Sequence, residues 1–319
     1  IRAEELPASH SNEKLVVAAL SFRKMLITSV KDVRVLVFKL CDRLHNMLTL
    51  GALPPNKQRR ISDEALVVYA PIAHRLGISS LKNELEDRSF FYIFPQDYRK
   101  IEDYFLNHKQ TIQLKLNAFM QKVKKSLVQS GVPEGDFHLE SRVKRHYSIY
   151  LKMQRKGISI EEVLDLLAIR VIVKNDLDCY KVLGILHLRF KPIMSRFKDY
   201  IALPKENGYQ TIHSTLFDDS AIFEVQIRTE DMHRSAEYGI AAHWKYKERG
   251  SGKTTIKAEE QKLSWLRQIL EWQKDMDDNK EFLSVLKNDL NLFSESIYCF
   301  SPKGDVKTLS KGSTQIDFA

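Results

Sequence analysis

Cysteine is scarce in this chain: Cys41, Cys179 and Cys299 are the three among 319 residues. They lie far apart and form no CxxC pair, and their odd number argues against a disulfide framework. Cys41 falls within an apolar helical pattern and is expected in a core. Long apolar runs are missing too, and nothing approaches the roughly 20 residues of a membrane span. No signal-peptide pattern opens the chain. These absences fit a cytoplasmic protein without a membrane partner. The sequence holds no internal repeat and no low-complexity tract. It starts at Ile1 instead of Met, so the natural N-terminus is expected upstream. Acidic residues are in deficit: 50 Lys and Arg against 41 Asp and Glu give a net charge of +9. A positive field of this kind suits nucleotides, RNA or acidic partners without choosing among them.

What is present is enough for two ordinary domains. Residues 12 to 94 read as helical, with apolar three- and four-residue spacing in Asp32–Leu50 and Asp63–Leu76. A long amphipathic helix is expected from Pro95 to Ser130, ended by the breaker Gly131–Val132–Pro133–Glu134–Gly135. Leu164–Val173, LDLLAIRVIV, is a β-branched run typical of a buried strand. Ala221–Arg228 alternates apolar and polar residues, as a half-buried strand does. Helical patterns at Ser148–Lys156 and Cys179–Phe190 surround these strands, so the middle reads as a mixed sheet with helices. Arg249–Lys257 is a polar linker. Ala258–Leu290 is helical in pattern, with Trp265 and Trp272 on an apolar stripe. Ser296–Ala319 reads as strand, Pro302–Lys303–Gly304 turn and strand. Gly250–Ser251–Gly252–Lys253–Thr254 is not a P-loop, because Lys247 stands where that motif needs glycine.

The most informative stretch is Arg196 to Phe217, RFKDYIALPKENGYQTIHSTLF. Arg196, Lys198 and Lys205 surround a Pro204–Gly208 turn that delivers Tyr209 and His213. Cations bind phosphates, and an aromatic face can stack on a base. On composition alone a charged surface hairpin serves equally well. Asp165 precedes an apolar strand, where a lone carboxylate is costly unless paired, exposed or metal-bound. Glu224, Gln226 and Arg228 share one face of the second strand, with Phe223, Val225 and Ile227 on the other. Solvation at a strand end or on a sheet face would also explain Asp165 and Glu224. Arg142 to Lys156 holds Arg142, Lys144, Arg145, Lys152, Arg155 and Lys156 without an acid: a solvated basic face, or cations converging on Asp165.

Order and identity go further than composition. RVKRHYSIYLKM, LDLLAIRVIV, RFKDY…NGYQTIH and FEVQIRTEDMHRSAEYGIAAHW closely resemble four synthetase blocks of the Rel/SpoT family, which makes and degrades (p)ppGpp. The resemblance implies an α+β fold: an all-helical HD-type hydrolase part over residues 1–94, a nucleotidyltransferase-like mixed-sheet synthetase with flanking helices over 95–275, and a linker helix with the start of a TGS domain over 276–319. It implies pyrophosphate transfer from ATP to the 3′-hydroxyl of GDP or GTP. By resemblance Asp165 and Glu224 are catalytic and hold Mg²⁺, with Glu224 drawing the ribose proton. Tyr209 stacks on guanine and Arg142 on adenine. Lys144, Lys198, Lys205 and His213 contact phosphates, and Ser148, Arg170, Arg196, Asn207 and Gln210 complete the nucleotide site. RFKD, with Lys198, is similar to the bifunctional branch. Val143 and Arg145 stand where the family more often shows Pro and His, and Glu206 adds an acid beside the phosphate site.

KLCDRLHNMLTL, residues 39–50, and YAPIAHRLGI, residues 69–78, are similar to hydrolase blocks of the same family. Asp42 and Asn46, at i and i+4, share a helical face, which is also a common exposed pattern. By resemblance Asp42 is a Mn²⁺ ligand, and Asn46 and Thr49 bind nucleotide. His74 reads as a packed or hydrogen-bonding histidine. No His-Asp dipeptide occurs, and His10 is the sole histidine before Asp42. The chain is therefore expected to begin inside the hydrolase domain and not to hydrolyse (p)ppGpp, since one carboxylate cannot hold a catalytic divalent ion. The family's further C-terminal half implies the ribosome and uncharged tRNA as partners. Two rivals remain: a silent synthetase in a protein that is mainly a hydrolase, and a basic RNA- or ribosome-binding module.

Overall fold

The computed structural model describes residues 32–163, 165–205, 207–218, 221–242, 296–300, 306–310 and 314. They fall into two compact units, 32–242 and the hairpin segment after 296. The patterns at 12–31, the 249–257 linker, the 258–290 helix with its tryptophans, the Gly250–Thr254 segment, Glu206 and the 302–304 turn lie outside the described residues.

The larger unit begins with helices α1 (Arg34–Leu48), α2 (Pro55–Glu64), α3 (Ala70–Arg75) and α4 (Ser79–Ile93). A π-helical turn, Ala65–Tyr69, joins α2 to α3. Leu36, Leu40 and Met47 turn inward from α1. Cys41 lies one residue, about 100°, round from Leu40, and it is exposed instead of core. Phe38 on the same helix is 73% exposed.

Helix α5 (Pro95–Gln129) buries Ile101, Leu116, Phe119, Val123 and Leu127, a three- and four-residue stripe. Gly131, at φ +79°, ends it. The Gly131 amide donates to the Val128 carbonyl and the Val132 amide to the Leu127 carbonyl, both at 3.0 Å. That pairing satisfies carbonyls that any helix end leaves open.

The remaining elements are β1 (Phe137–Val143), α6 (His146–Lys156), β2 (Leu167–Val173), α7 (Asp176–Arg189), β3 (Lys191–Pro192), β4 (Lys198–Asp199), β5 (Ile212–Asp218), β6 (Ala221–Thr229) and α8 (Glu230–Tyr238). Among the described residues the sheet order is β1-β2-β6-β5-β3, with β4 also on β5. β2 and β6 are parallel, and the other pairs are antiparallel. The sheet is therefore mixed, and β2 begins at Leu167, after Asp165 instead of at it. β1 and β5 are strands that the sequence reading did not separate from the basic run and the turn beside them.

One sheet face is apolar. Ile169, Val171, Phe223, Val225, Ile227 and Ile212 pack there against Phe119, Val123, Val182 and Leu186 of α5 and α7. Phe119 and Phe223 stack with centroids 4.0 Å apart, pinning α5 to the middle of the sheet. The opposite face is left to polar side chains. Thr229 ends β6 and caps α8, its hydroxyl accepting from the Met232 amide at 3.2 Å. The chain thus turns back directly, and α8 returns over the polar face.

In the second unit β7 (Ser296–Phe300) and β8 (Val306–Ser310) form an antiparallel pair, Ser296 opposite Ser310. This agrees with the two strands expected there.

Candidate nucleotide site on the polar sheet face

Pairing across the sheet puts residues in register on one face. One row runs Glu140, Arg170, Gln226, His213, Lys198 across β1, β2, β6, β5 and β4. The adjacent row runs Arg142, Ala168, Glu224, Thr215. Residues from five strands, distant in sequence, thereby share one patch.

Asp165 sits just before β2. Its Oδ2 accepts from Lys144 Nζ at 2.6 Å, and its Oδ1 from Lys152 of α6. Lys144 is tied in place by its own amide, which donates to the Leu166 carbonyl at 3.1 Å. Burial alone would raise the Asp165 pKa; Lys144 and then Lys152 outweigh it and hold the carboxyl down at about 2. Burial in turn lowers the Lys152 pKa against the pull of Asp165. Helix α6 is held from the helical segment: the Tyr147 amide donates to Asp87 at 3.0 Å, and Arg145 pairs with Glu84 at 3.0 Å. A carboxylate at a helix N-terminus is favourable.

Glu224 shares one of these cations, Lys144. Its Oε1 accepts from Gln226 Nε2 at 2.6 Å and lies 3.4 Å from His213 Nδ1. Burial works against ionisation here too, yet His213, Gln226 and the Lys144 charge hold Glu224 at about 2. Tyr209 continues the chain, its hydroxyl 3.1 Å from His213 Nε2. Lys205 Nζ lies 4.7 Å from the Tyr200 ring centre and 5.4 Å from that of Tyr209.

A second cluster is built from guanidinium groups. Arg170 reaches Glu140 at 3.4 Å, Glu237 of α8 at 3.3 Å, and donates from Nε to Gln226 at 3.5 Å. Arg228 is only 1% exposed. Its Nη2 lies 2.9 Å from His233 Nδ1 and 3.6 Å from the same Glu237 oxygen. Burial, and then the charge of Arg170, push the Arg228 pKa down to about 10. Arg142 is lowered for the same two reasons. Three buried or half-buried arginines, Arg142, Arg170 and Arg228, thus meet three carboxylates, Glu140, Glu237 and Glu224, and the charges of this cluster balance.

The structure therefore gathers Arg142, Lys144, Asp165, Arg170, Lys205, Asn207, Tyr209, His213 and Glu224. Arg196 acts electrostatically on Lys152. Lys198 is exposed at the end of its row, Ser148 lies in the first turn of α6, and Gln210 follows Tyr209 half-buried. The polar face of β6 is not solvated: Gln226 and Arg228 are both buried. Sequence reasoning offered Lys152 only as one of several cations that could converge on Asp165, and it missed the parts of Arg228 and Glu237. Alternation put Arg228 on the correct face, but nothing in the sequence signals that α8 would fold Glu237 onto it.

Asp42 and Asn46 are exposed on α1, and the Thr49 hydroxyl donates at 3.4 Å to the His45 and Asn46 carbonyls. Among the described residues no group of three or more His, Cys, Asp or Glu could hold a metal. The described part of this segment therefore does not by itself fit a catalytic Mn²⁺ site. Asp165 and Glu224 differ: two ionised carboxylates are the hard oxygen donors that a divalent cation such as Mg²⁺ takes, with water and substrate phosphates filling the rest. No helix among the described residues is long and apolar enough to cross a membrane.

The chain is similar in sequence to known proteins over most of its length. Residues 141–251 match the region found in RelA and SpoT proteins, and residues 1–79 match an HD domain. A probable guanosine-3′,5′-bis(diphosphate) 3′-pyrophosphohydrolase of Synechocystis is 47% identical over 94% of this chain and 39% of its own length. A GTP pyrophosphokinase of Myxococcus xanthus is 44% identical over 94% and 39%. The bifunctional (p)ppGpp synthase/hydrolase SpoT of Escherichia coli is 42% identical over 96% and 43%. The chain spans about two fifths of the length of these relatives. Among solved structures, small alarmone synthetase 1 of Bacillus subtilis, bound to its product pppGpp, is 22% identical over 55% of this chain and 96% of that one, with a TM-score of 0.36.

Proposed function

This chain belongs to the Rel/SpoT family, and from that premise we propose that it transfers pyrophosphate from ATP to the 3′-hydroxyl of GDP or GTP, making ppGpp or pppGpp. The observation that carries the reading is the pair Asp165 and Glu224, both held ionised at about 2 and both acted on by Lys144. Residues 95–275 form the synthetase on this reading, residues 1–94 the HD-type part, and 276–319 the linker and the opening of a TGS domain. Ribosome and uncharged tRNA would be partners of the longer protein.

The guanosine 3′-oxygen forms a bond to the β-phosphorus of ATP as the bond from that phosphorus to the α-phosphate oxygen breaks, and AMP leaves. Arg142 and Arg170 take the adenine side. Tyr209 takes the guanine face, with Lys205 over its ring. Lys144 and Lys198 neutralise phosphate charge, and His213 contacts phosphate. Asp165 and Glu224 would hold Mg²⁺, which when bound supplies charge neutralisation at the phosphates. A carboxylate near 2 is a weak base, so Glu224 takes the departing hydroxyl proton only transiently before solvent does. Positioning and charge neutralisation therefore do most of the work.

The test is to incubate the chain with ATP, GDP or GTP, and Mg²⁺ and to separate the nucleotides. AMP and (p)ppGpp in equal amounts are expected. Bound nucleotide without product would favour the second reading, a longer protein that is mainly a hydrolase, for which the HD match over residues 1–79 speaks. Salt-sensitive RNA binding without nucleotide affinity would point to a basic RNA-binding module.

A further inference from the structure

The loop that presents Tyr209 is fastened to the helical segment through one side chain. Asn207 Nδ2 donates to the His74 carbonyl at 3.2 Å, at the end of α3. Its Oδ1 accepts from the Tyr209 amide at 3.2 Å. A carbonyl can only accept, so the His74 contact fixes which end of the amide faces which partner. The loop closes on itself through Gly208 N to Lys205 O, 2.7 Å, and Lys205 N to Tyr209 O, 3.2 Å. Gly208, at φ +75°, permits the turn.

The other side of the contact is equally tight. Gly77 has φ +74°, and a Cβ there would meet the Asn207 carbonyl and Gly239 Cα, each at 3.2 Å. A Cβ on Gly239 would come within 2.2 Å of the Leu76 carbonyl. The Ile240 amide donates to that carbonyl at 3.1 Å, and Ser80 Oγ to the Glu237 carbonyl at 2.8 Å. The turn after α3 is therefore clasped between the Tyr209 loop and the end of α8.

We propose that Asn207 is a positioning residue: it carries the His74 carbonyl to the Tyr209 amide, and this tether sets the affinity for the guanine nucleotide. Its Nδ2 and Oδ1 each have a protein partner, and its effect on the nucleotide runs through Tyr209. The inference rests on the proposed assignment of Tyr209 to the guanine base.

The test uses Asn207→Ser, which adds no charge. A serine hydroxyl at this position can still accept from the amide two residues on, but it is too short to reach His74. Binding of GDP and, separately, of a non-hydrolysable ATP analogue is measured by titration calorimetry, with thermal melting to show that the variant is folded. The expected result is a GDP Kd raised about three- to tenfold, the reach of one hydrogen bond, with the ATP-analogue Kd within about twofold. Gly77→Ala, altering the tether from the far side, should reproduce the same split. Unchanged GDP affinity in folded Asn207→Ser or in folded Gly77→Ala, or equal losses for both nucleotides, would overturn the positioning role alone. Failure of the unaltered chain to bind GDP would overturn both the role and the reading beneath it.

Discussion

Lys144 Nζ and Asp165 Oδ2 lie 2.6 Å apart, with Lys152 on the other carboxylate oxygen, so two cations hold one buried acid ionised. The Asp165 pKa falls from 3.8 to about 2. A lowered folded pKa means stability that is complete above 3.8 and lost as pH falls through about 2. At 1.36 kcal/mol per unit this is on the order of 2 kcal/mol. Lys152→Met should lower the melting temperature at neutral pH, and the gap to the unaltered protein should narrow from pH 4 downward. A gap that stays constant with pH would contradict the pairing.

Tyr209 lies beside Tyr200 in the patch, held by His213 and by the Asn207 turn. Tyr209→Ala should raise the Kd for GDP about tenfold or more, since stacking on a base contributes on the order of 1–3 kcal/mol. ATP-analogue binding should change far less. Equal losses for both nucleotides in a titration would place the guanine elsewhere.

His74 gives a separate acid signature. Burial, followed by the charges of Lys82, Lys205 and Arg75, lowers its pKa from 6.5 to about 4. The unfolded chain therefore takes up a proton between these values that the folded chain refuses, and stability falls as pH drops from 6.5 to about 4. The loss is roughly 3 kcal/mol at most. His74→Gln should flatten this part of the urea-midpoint profile. An unchanged slope would show that His74 protonates freely in the fold.

Two glycines should respond with opposite signs. Gly239, at φ +54° and against the Leu76 carbonyl, has no room for a methyl group. Gly239→Ala should cost about 2 kcal/mol or more through strain and overpacking. Gly184 is exposed in α7 with nothing within 4 Å of a Cβ. Gly184→Ala should stabilise by about 1 kcal/mol. Thermal melts of the two variants check both, and matching signs would contradict this geometry.

Much of the architecture is legible in residue order, for particular reasons. The long stripe ending at Gly131 foretells α5, because both its period and its stop are local. LAIRVIV and AIFEVQIRT announce buried strands by β-branching and alternation. β1 alternates as well, with Phe137 and Leu139 on one face and His138, Glu140 and Arg142 on the other, but the basic run starting at Arg142 masked it, and β5 was masked by the turn signal beside it. Cys41 shows the limit of period reading: a step of one residue moved it from core to surface. The site was legible as to which residues, through order and spacing, but less so as to their partners. That Lys152 binds Asp165, that Arg228 is fully buried, and that Glu237 bridges two arginines all depend on how α6 and α8 fold back, which no local pattern encodes.

The most direct measurement is (p)ppGpp formation from ATP and GDP with Mg²⁺ by the unaltered chain, Asp165→Asn and Glu224→Gln, each first shown to be folded by its melt. Turnover by the unaltered chain and a loss of about a hundredfold or more in both variants are expected, because each removes a carboxylate that would hold Mg²⁺ at the reacting phosphates. Normal synthesis by either folded variant would contradict the assignment of that carboxylate and, with it, the catalytic pair.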